Sequence, residues 1–169
     1  MRLALVLVVA GCYSEPHLGS GDDAPPPIDA PRDTSSVTCP AAYSIHGQTA
    51  RYRFTAAAGT YLEVAADCKS DGGHLAKIVD TVEDAFIDTA FSAASVPTSS
   101  YVWIGLSDPN MNDTYQWYDG TALGAYNGFM NGHIPNDNDG LHNCVDKSGG
   151  GLWAIYYCDF AELGLCECN

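Results

Sequence analysis

"ARYRFTAAAGTYLEVAADCKSDGGHLAKI" (residues 50–78) holds most of the local structural information in the chain. Tyr52 and Phe54 alternate with Arg51 and Arg53, the period of a strand with one buried face. Thr60 stands three residues before Glu63, a capping-box spacing that satisfies free amides at a helix start. Leu62, Ala65 and Ala66 then recur at helical spacing, with Cys68 near the end. Gly72-Gly73 would end the helix in a left-handed conformation, and "HLAKI" (74–78) leaves it as a short strand. A second helix is expected from about Thr81, with Glu83 and Asp84 at the positive end of its dipole and Phe86, Ile87, Ala90 and Phe91 on its apolar face.

Beyond residue 100 the pattern changes to short strands and long polar loops. "YVWIGLSD" (101–108), "YQWYDG" (115–120), "CVDK" (144–147), "LWAIYYC" (152–158) and "GLCEC" (164–168) are aromatic or β-branched runs broken by Gly, Asn and Asp. Helices first and strands later make an α+β domain. Residues 121–143 show little regular pattern, and a loop that long in a compact domain is usually functional or disordered. The cysteines nearby argue for order.

The chain has 169 residues, room for one domain plus flanking segments. Seven Lys and Arg against twenty-one Asp and Glu give a net charge of -14. Such a surface repels phosphate backbones, so nucleic acid is not a partner. At the N-terminus, "LALVLVVA" (3–10) is too short to span a bilayer and runs into "VAGC" (9–12). This resembles a bacterial lipoprotein signal, which implies cleavage after residue 11 and lipidation of Cys12. Several acyl chains on one residue anchor stably where a single chain binds only marginally. Residues 12–38 are rich in Pro, Asp, Gly and Ser and nearly free of large apolar residues, so nothing there offsets the entropy of ordering. They read as a lipidated tether before a domain at 39–169. Tyr13 lacks the Asp that marks inner-membrane retention in some bacteria, which points to the outer membrane. An exported chain expects disulfides, and setting Cys12 aside leaves Cys39, Cys68, Cys144, Cys158, Cys166 and Cys168, with every pairing open from sequence alone.

"LEVAADCKSDGGHLAKI" (62–78), "EDAFI" (83–87), "WIGLSD" (103–108), "WYDG" (117–120), Pro135-Asn136, Cys144-Val145, Trp153, Cys158 and "LCE" (165–167) come in an order and spacing that resemble the C-type lectin-like domain, over roughly 39–169. The resemblance implies two helices flanking two small antiparallel sheets, with a long loop that often carries binding. It also implies bridges Cys68–Cys166 and Cys144–Cys158, leaving Cys39 to Cys168. That last pair departs from the long-form members, where a second cysteine would close an N-terminal hairpin near Arg51. Pro135 matches a proline that is commonly cis in the family.

Sugar-binding members hold Ca2+ with a Glu-Pro-Asn or Gln-Pro-Asp tripeptide, a Glu two residues before a strand cysteine, and an Asn-Asp after the tryptophan. Those positions fall here on Ile134-Pro135-Asn136, on His142, and on Ala154-Ile155. Only Asn136 offers a side-chain oxygen, whereas Ca2+ takes roughly six to eight oxygen ligands and imidazole suits softer metals. The usual sugar site is therefore expected to be absent, and no cofactor is required. A second, structural Ca2+ position would fall on Asp108, Asn112, Asp137 and Asn143, a weakened set. The plainer alternative is a loop whose Asp and Asn form turns through side-chain-to-backbone bonds.

Trp103 and Trp153 are expected in the core, leaving Tyr126, Phe129 and Met130 as exposed contacts beside Asn136, Asp137, Asn138 and Asp139. A zinc site of His133 and His142 with Asp137 or Asp139 has nothing to fix its geometry. No nucleophile elbow, His-Glu-x-x-His or phosphate-cradling glycine motif is present. The expectation is a non-catalytic, lipid-anchored envelope module binding an extracellular or periplasmic protein or glycan. The alternatives are Ca2+-stabilised carbohydrate binding through a remodelled loop, or a hydrolase using His142 with a loop carboxylate.

Overall fold

The computed structural model describes residues 38–135 and 142–169. Its elements run β1 (Ile45–His46), β2 (Arg51–Phe54), α1 (Tyr61–Ser70), β3 (His74–Leu75), α2 (Thr81–Ala93), β4 (Tyr101–Ser107), β5 (Gln116–Trp117), a short 3-10 turn (Met130–Gly132), β6 (Cys144–Ser148), β7 (Trp153–Tyr156) and β8 (Leu163–Cys168). The fold is α+β, as the sequence implies.

The capping box forms as its spacing requires. The Thr60 hydroxyl accepts from the Glu63 amide at 3.3 Å, and the Glu63 carboxylate accepts from the Thr60 amide at 2.9 Å. Gly72, at φ 87, turns the chain out of α1. The buried stripe of α1 is Tyr61, Val64 and Cys68, not Leu62, Ala65 and Ala66; Leu62 is 75% exposed. The helix phase is set by Cys68, which must face Cys166, and the residues flanking that stripe turn outward. For α2, the Asp80 carboxylate caps the amides of Val82 and Glu83, and Ile87, Ala90 and Phe91 face inward.

Strands order as β1-β2-β8-β4-β6-β7, with β3 on β8 and β5 on β4. Two antiparallel groups are joined where β4 and β8 run parallel, Val102 opposite Leu163 and Trp103 opposite Gly164. The expected two sheets are thus continuous through one parallel contact. β2 lies antiparallel on β8, so both ends of the domain meet, and Cys39–Cys168 ties them. Cys68–Cys166 and Cys144–Cys158 complete the implied set. Their sequence separations, 98 and 14, correspond to about 4.7 and 3 kcal/mol in the chain-entropy account of cross-linking. All peptide bonds among the described residues are trans, Ile134–Pro135 included, which corrects the cis expectation.

Candidate functional site: the long loop and its anchor

The described part of the loop is held by an aromatic cage around Trp153. Trp117, Tyr126 and Phe129 each meet the indole edge-on, with centroids 5.7–5.9 Å away. Gly128 accepts the Trp153 amide at 3.0 Å and lies so close that an added Cβ would sit 2.3 Å from the indole nitrogen. Only glycine lets the loop lie flat there. All three tryptophans are buried.

Beneath the cage is a cluster of buried charge that sequence reading missed. Lys147, fully buried in β6, pairs with Asp84 at 2.8 Å and Asp88 at 2.6 Å on α2. Asp84 also accepts from the Tyr126 hydroxyl at 2.5 Å and from the Trp153 indole at 3.3 Å. Burial, reinforced by Asp84, pushes the Tyr126 hydroxyl well above its ordinary range, so it stays a donor. A buried ammonium is tolerable only when paired, and here its partners also hold the loop. The signal was present in the sequence: Asp84 and Asp88 lie four apart on the same side of α2 as Ile87 and Phe91.

The other face of β6 carries a second buried acid. Asp146 is pushed up to about 8, by burial first and by the Glu162 charge next. Burial raises Glu162 to about 7. One oxygen of each is buried without a hydrogen-bond partner among the described residues.

The candidate contacts divide. Phe129, at 3% exposure, is a core residue, which corrects its assignment as an exposed contact. Tyr126 is half-buried, with its hydroxyl on Asp84. Met130 is 66% exposed and presents its thioether to solvent. A parallel bridge between Phe129 and Trp153 lays this stretch beside the start of β7. Exposed Ile134 and Leu152 belong to the same loop and strand approach, and Ile155 packs partly into the core. Asn136, Asp137, Asn138 and Asp139 lie outside the described residues, as do Cys12 and nearly all of 1–38.

Asp108 is buried, and its carboxylate accepts main-chain amides from Asn110 at 3.2 Å, Asn112 at 2.7 Å and Asp113 at 2.6 Å. The Asn112 side chain accepts from the Thr114 amide at 3.1 Å, and the Asn143 carbonyl accepts from the Asp108 amide at 2.7 Å. Those amides already draw on both Asp108 oxygens, so a cation there would have to share them. Among the described residues no three His, Cys, Asp or Glu converge on a metal-sized point. His142 packs against the Tyr157 ring at 4.0 Å, and its carbonyl accepts from the Tyr115 hydroxyl.

Paired helices, a sheet joined through one parallel contact, three bridges and a loop caged on a tryptophan define a disulfide-stapled α+β domain. Residues 58–168 match the Lectin C-type domain, and the chain belongs to that family. It is 33% identical over 101 residues to human (Homo sapiens) CD209 antigen, a match covering 59% of this chain and 24% of the relative. The chain therefore spans about a quarter of that relative's length. Among solved structures, the cow CD23 C-type carbohydrate-recognition domain, crystallised in the presence of a GlcNAc2Man3 oligosaccharide, is 27% identical with a TM-score of 0.65, covering 78% of this chain and 95% of that one. A calcium-independent type II antifreeze protein is 25% identical with a TM-score of 0.60, covering 77% and 93%.

Proposed function

We propose that this chain is a non-catalytic recognition module that binds a protein or glycan ligand through its long loop and the adjoining β7 face, without a Ca2+-bridged sugar site. The observation that carries this is chemical. Ile134, Ala154 and Ile155 put hydrocarbon where the family's sugar binders place oxygen, and Asp108 is committed to main-chain amides. The similar type II antifreeze protein is calcium-independent, so the fold tolerates life without the ion. Membership in a lectin family and the packing of His142 against Tyr157 both favour binding over hydrolysis.

Cys12 and the tether place the module on the outer membrane of a bacterial envelope in this reading; the motif at residues 9–12 is its support. Binding to a glycan panel with and without EDTA tests the calcium claim. Signals that survive the chelator are expected, and specific binding abolished by it would refute the proposal. The second reading, Ca2+-stabilised carbohydrate binding through a remodelled loop, draws on the similarity to CD209 and CD23 and requires that chelator sensitivity.

A further inference from the structure

Away from the long loop, the outer side of α1 borders two concavities, of about 610 and 470 Å³, that share Tyr61, Ser107 and Pro109. Both fall within the size of ordinary ligand pockets. The apolar side chains at their margins are not accounted for by folding. Leu62 and Met111, 75% and 69% exposed, border the smaller chamber with Tyr157. Large apolar groups clustered in the open mark contact surfaces, and Met and Tyr are enriched in them. At the far end, Tyr118 stacks on His74 at 4.0 Å and 17°.

The floor is rigid. Tyr61 meets Trp103 edge-on at 5.9 Å beside Ser107, and the Cys144–Cys158 bridge closes one wall. Asp108 serves three amides. Lys69, Gln116 and Asp159 also line the chambers, and the exposed Leu62 and Met111 supply apolar anchors that need no polar partner. Charge decides the flanks. The chain carries -14 overall, the exposed Asp159 lines the smaller chamber, and the exposed Glu63 follows Leu62 on α1. From Leu62 to Lys69 the helix rises about 10 Å, the span of roughly three extended residues.

We infer that this groove is a second docking site, for an extended segment of a partner protein that places one apolar side chain in each chamber and basic residues beside the acidic end. The site is distinct from the long-loop face and does not depend on calcium.

The test pans a random twelve-residue peptide library, displayed on phage, against the immobilised full chain in EDTA. Selected peptides are then measured by fluorescence polarisation against wild type, Leu62→Glu, Met111→Ser and Met130→Ser. The substituted side chains are exposed, and melting curves confirm that each variant folds. The expected peptides carry two apolar positions three or four residues apart with flanking Lys or Arg. They should bind at least tenfold more weakly to Leu62→Glu and Met111→Ser, and unchanged to Met130→Ser. Selection of no peptide sensitive to Leu62 and Met111, or of acidic flanks, would overturn the inference. So would binding to the glycan panel that Leu62→Glu abolishes, which would assign the groove to a saccharide. Failure of the calcium-free reading shows separately, as EDTA sensitivity.

Discussion

Asp146 should make this domain less stable as the pH rises through neutrality, the reverse of a protein held by salt-bridged acids. In the folded chain its carboxyl is raised to about 8, because burial and the neighbouring Glu162 charge both oppose ionisation. Below the ordinary carboxylate range both folded and unfolded chains hold the proton, and nothing is gained or lost. Between about 4 and 8 the folded chain keeps a proton that the unfolded chain has released, so stability falls by about 1.4 kcal/mol per pH unit for each such proton. Counting one proton for the Asp146–Glu162 pair, the change from pH 5 to pH 7 costs about 3 kcal/mol. That is a large part of a typical total of roughly 5–15 kcal/mol. For a domain this size it corresponds to a drop of about 10 °C in Tm. Glu167, also raised by burial, acts in the same direction. Asp119 and Glu63 are held low by hydrogen bonds, and their contribution disappears only in acid below this window. The assay is intrinsic tryptophan fluorescence melting from pH 5 to 8 at fixed ionic strength, on wild type and Asp146→Asn. The substitution keeps the shape and removes the charge, so it should flatten the slope and raise Tm at pH 8. Equal wild-type melting at pH 5 and 7, or a parallel profile for Asp146→Asn, would refute the reasoning.

Further outcomes follow from the loop's anchor and the N-terminus. Lys147→Met should leave the buried Asp84 and the part-exposed Asp88 without their cation and cost about 3 kcal/mol in urea unfolding. Gly128→Ala should cost about 1–3 kcal/mol, since its methyl collides with the Trp153 ring, and should expose the loop to limited proteolysis before the rest of the domain. Cys12→Ser should move the expressed protein from the membrane fraction to the soluble fraction, and retention on the membrane would dismiss the anchor.

Local rules were legible wherever neighbours in sequence act on each other. The Thr60–Glu63 box, the left-handed Gly72 and the start of α2 followed from backbone chemistry, and the bridge pattern followed from the family's motifs. What failed were choices made by distant partners. Leu62 and Tyr61 both suit a helix's apolar face, and the position of Cys166 decided between them. Phe129 looked like a loop tip until Trp153 claimed it for the core. Lys147 sits among strand residues with nothing in its neighbourhood to announce Asp84 and Asp88, which approach from another element some sixty residues away in the chain. The substitution of hydrocarbon at Ile134, Ala154 and Ile155 was readable at once, because ligand chemistry depends on residue type before geometry.

Isothermal titration of calcium into the full chain tests the central claim most directly. We expect no binding heat up to roughly 10 mM, far above the affinity of the weak extracellular calcium modules. A saturable isotherm with a Kd of about 1 mM or tighter, lost on Asn136→Ala or Asp108→Asn, would contradict it.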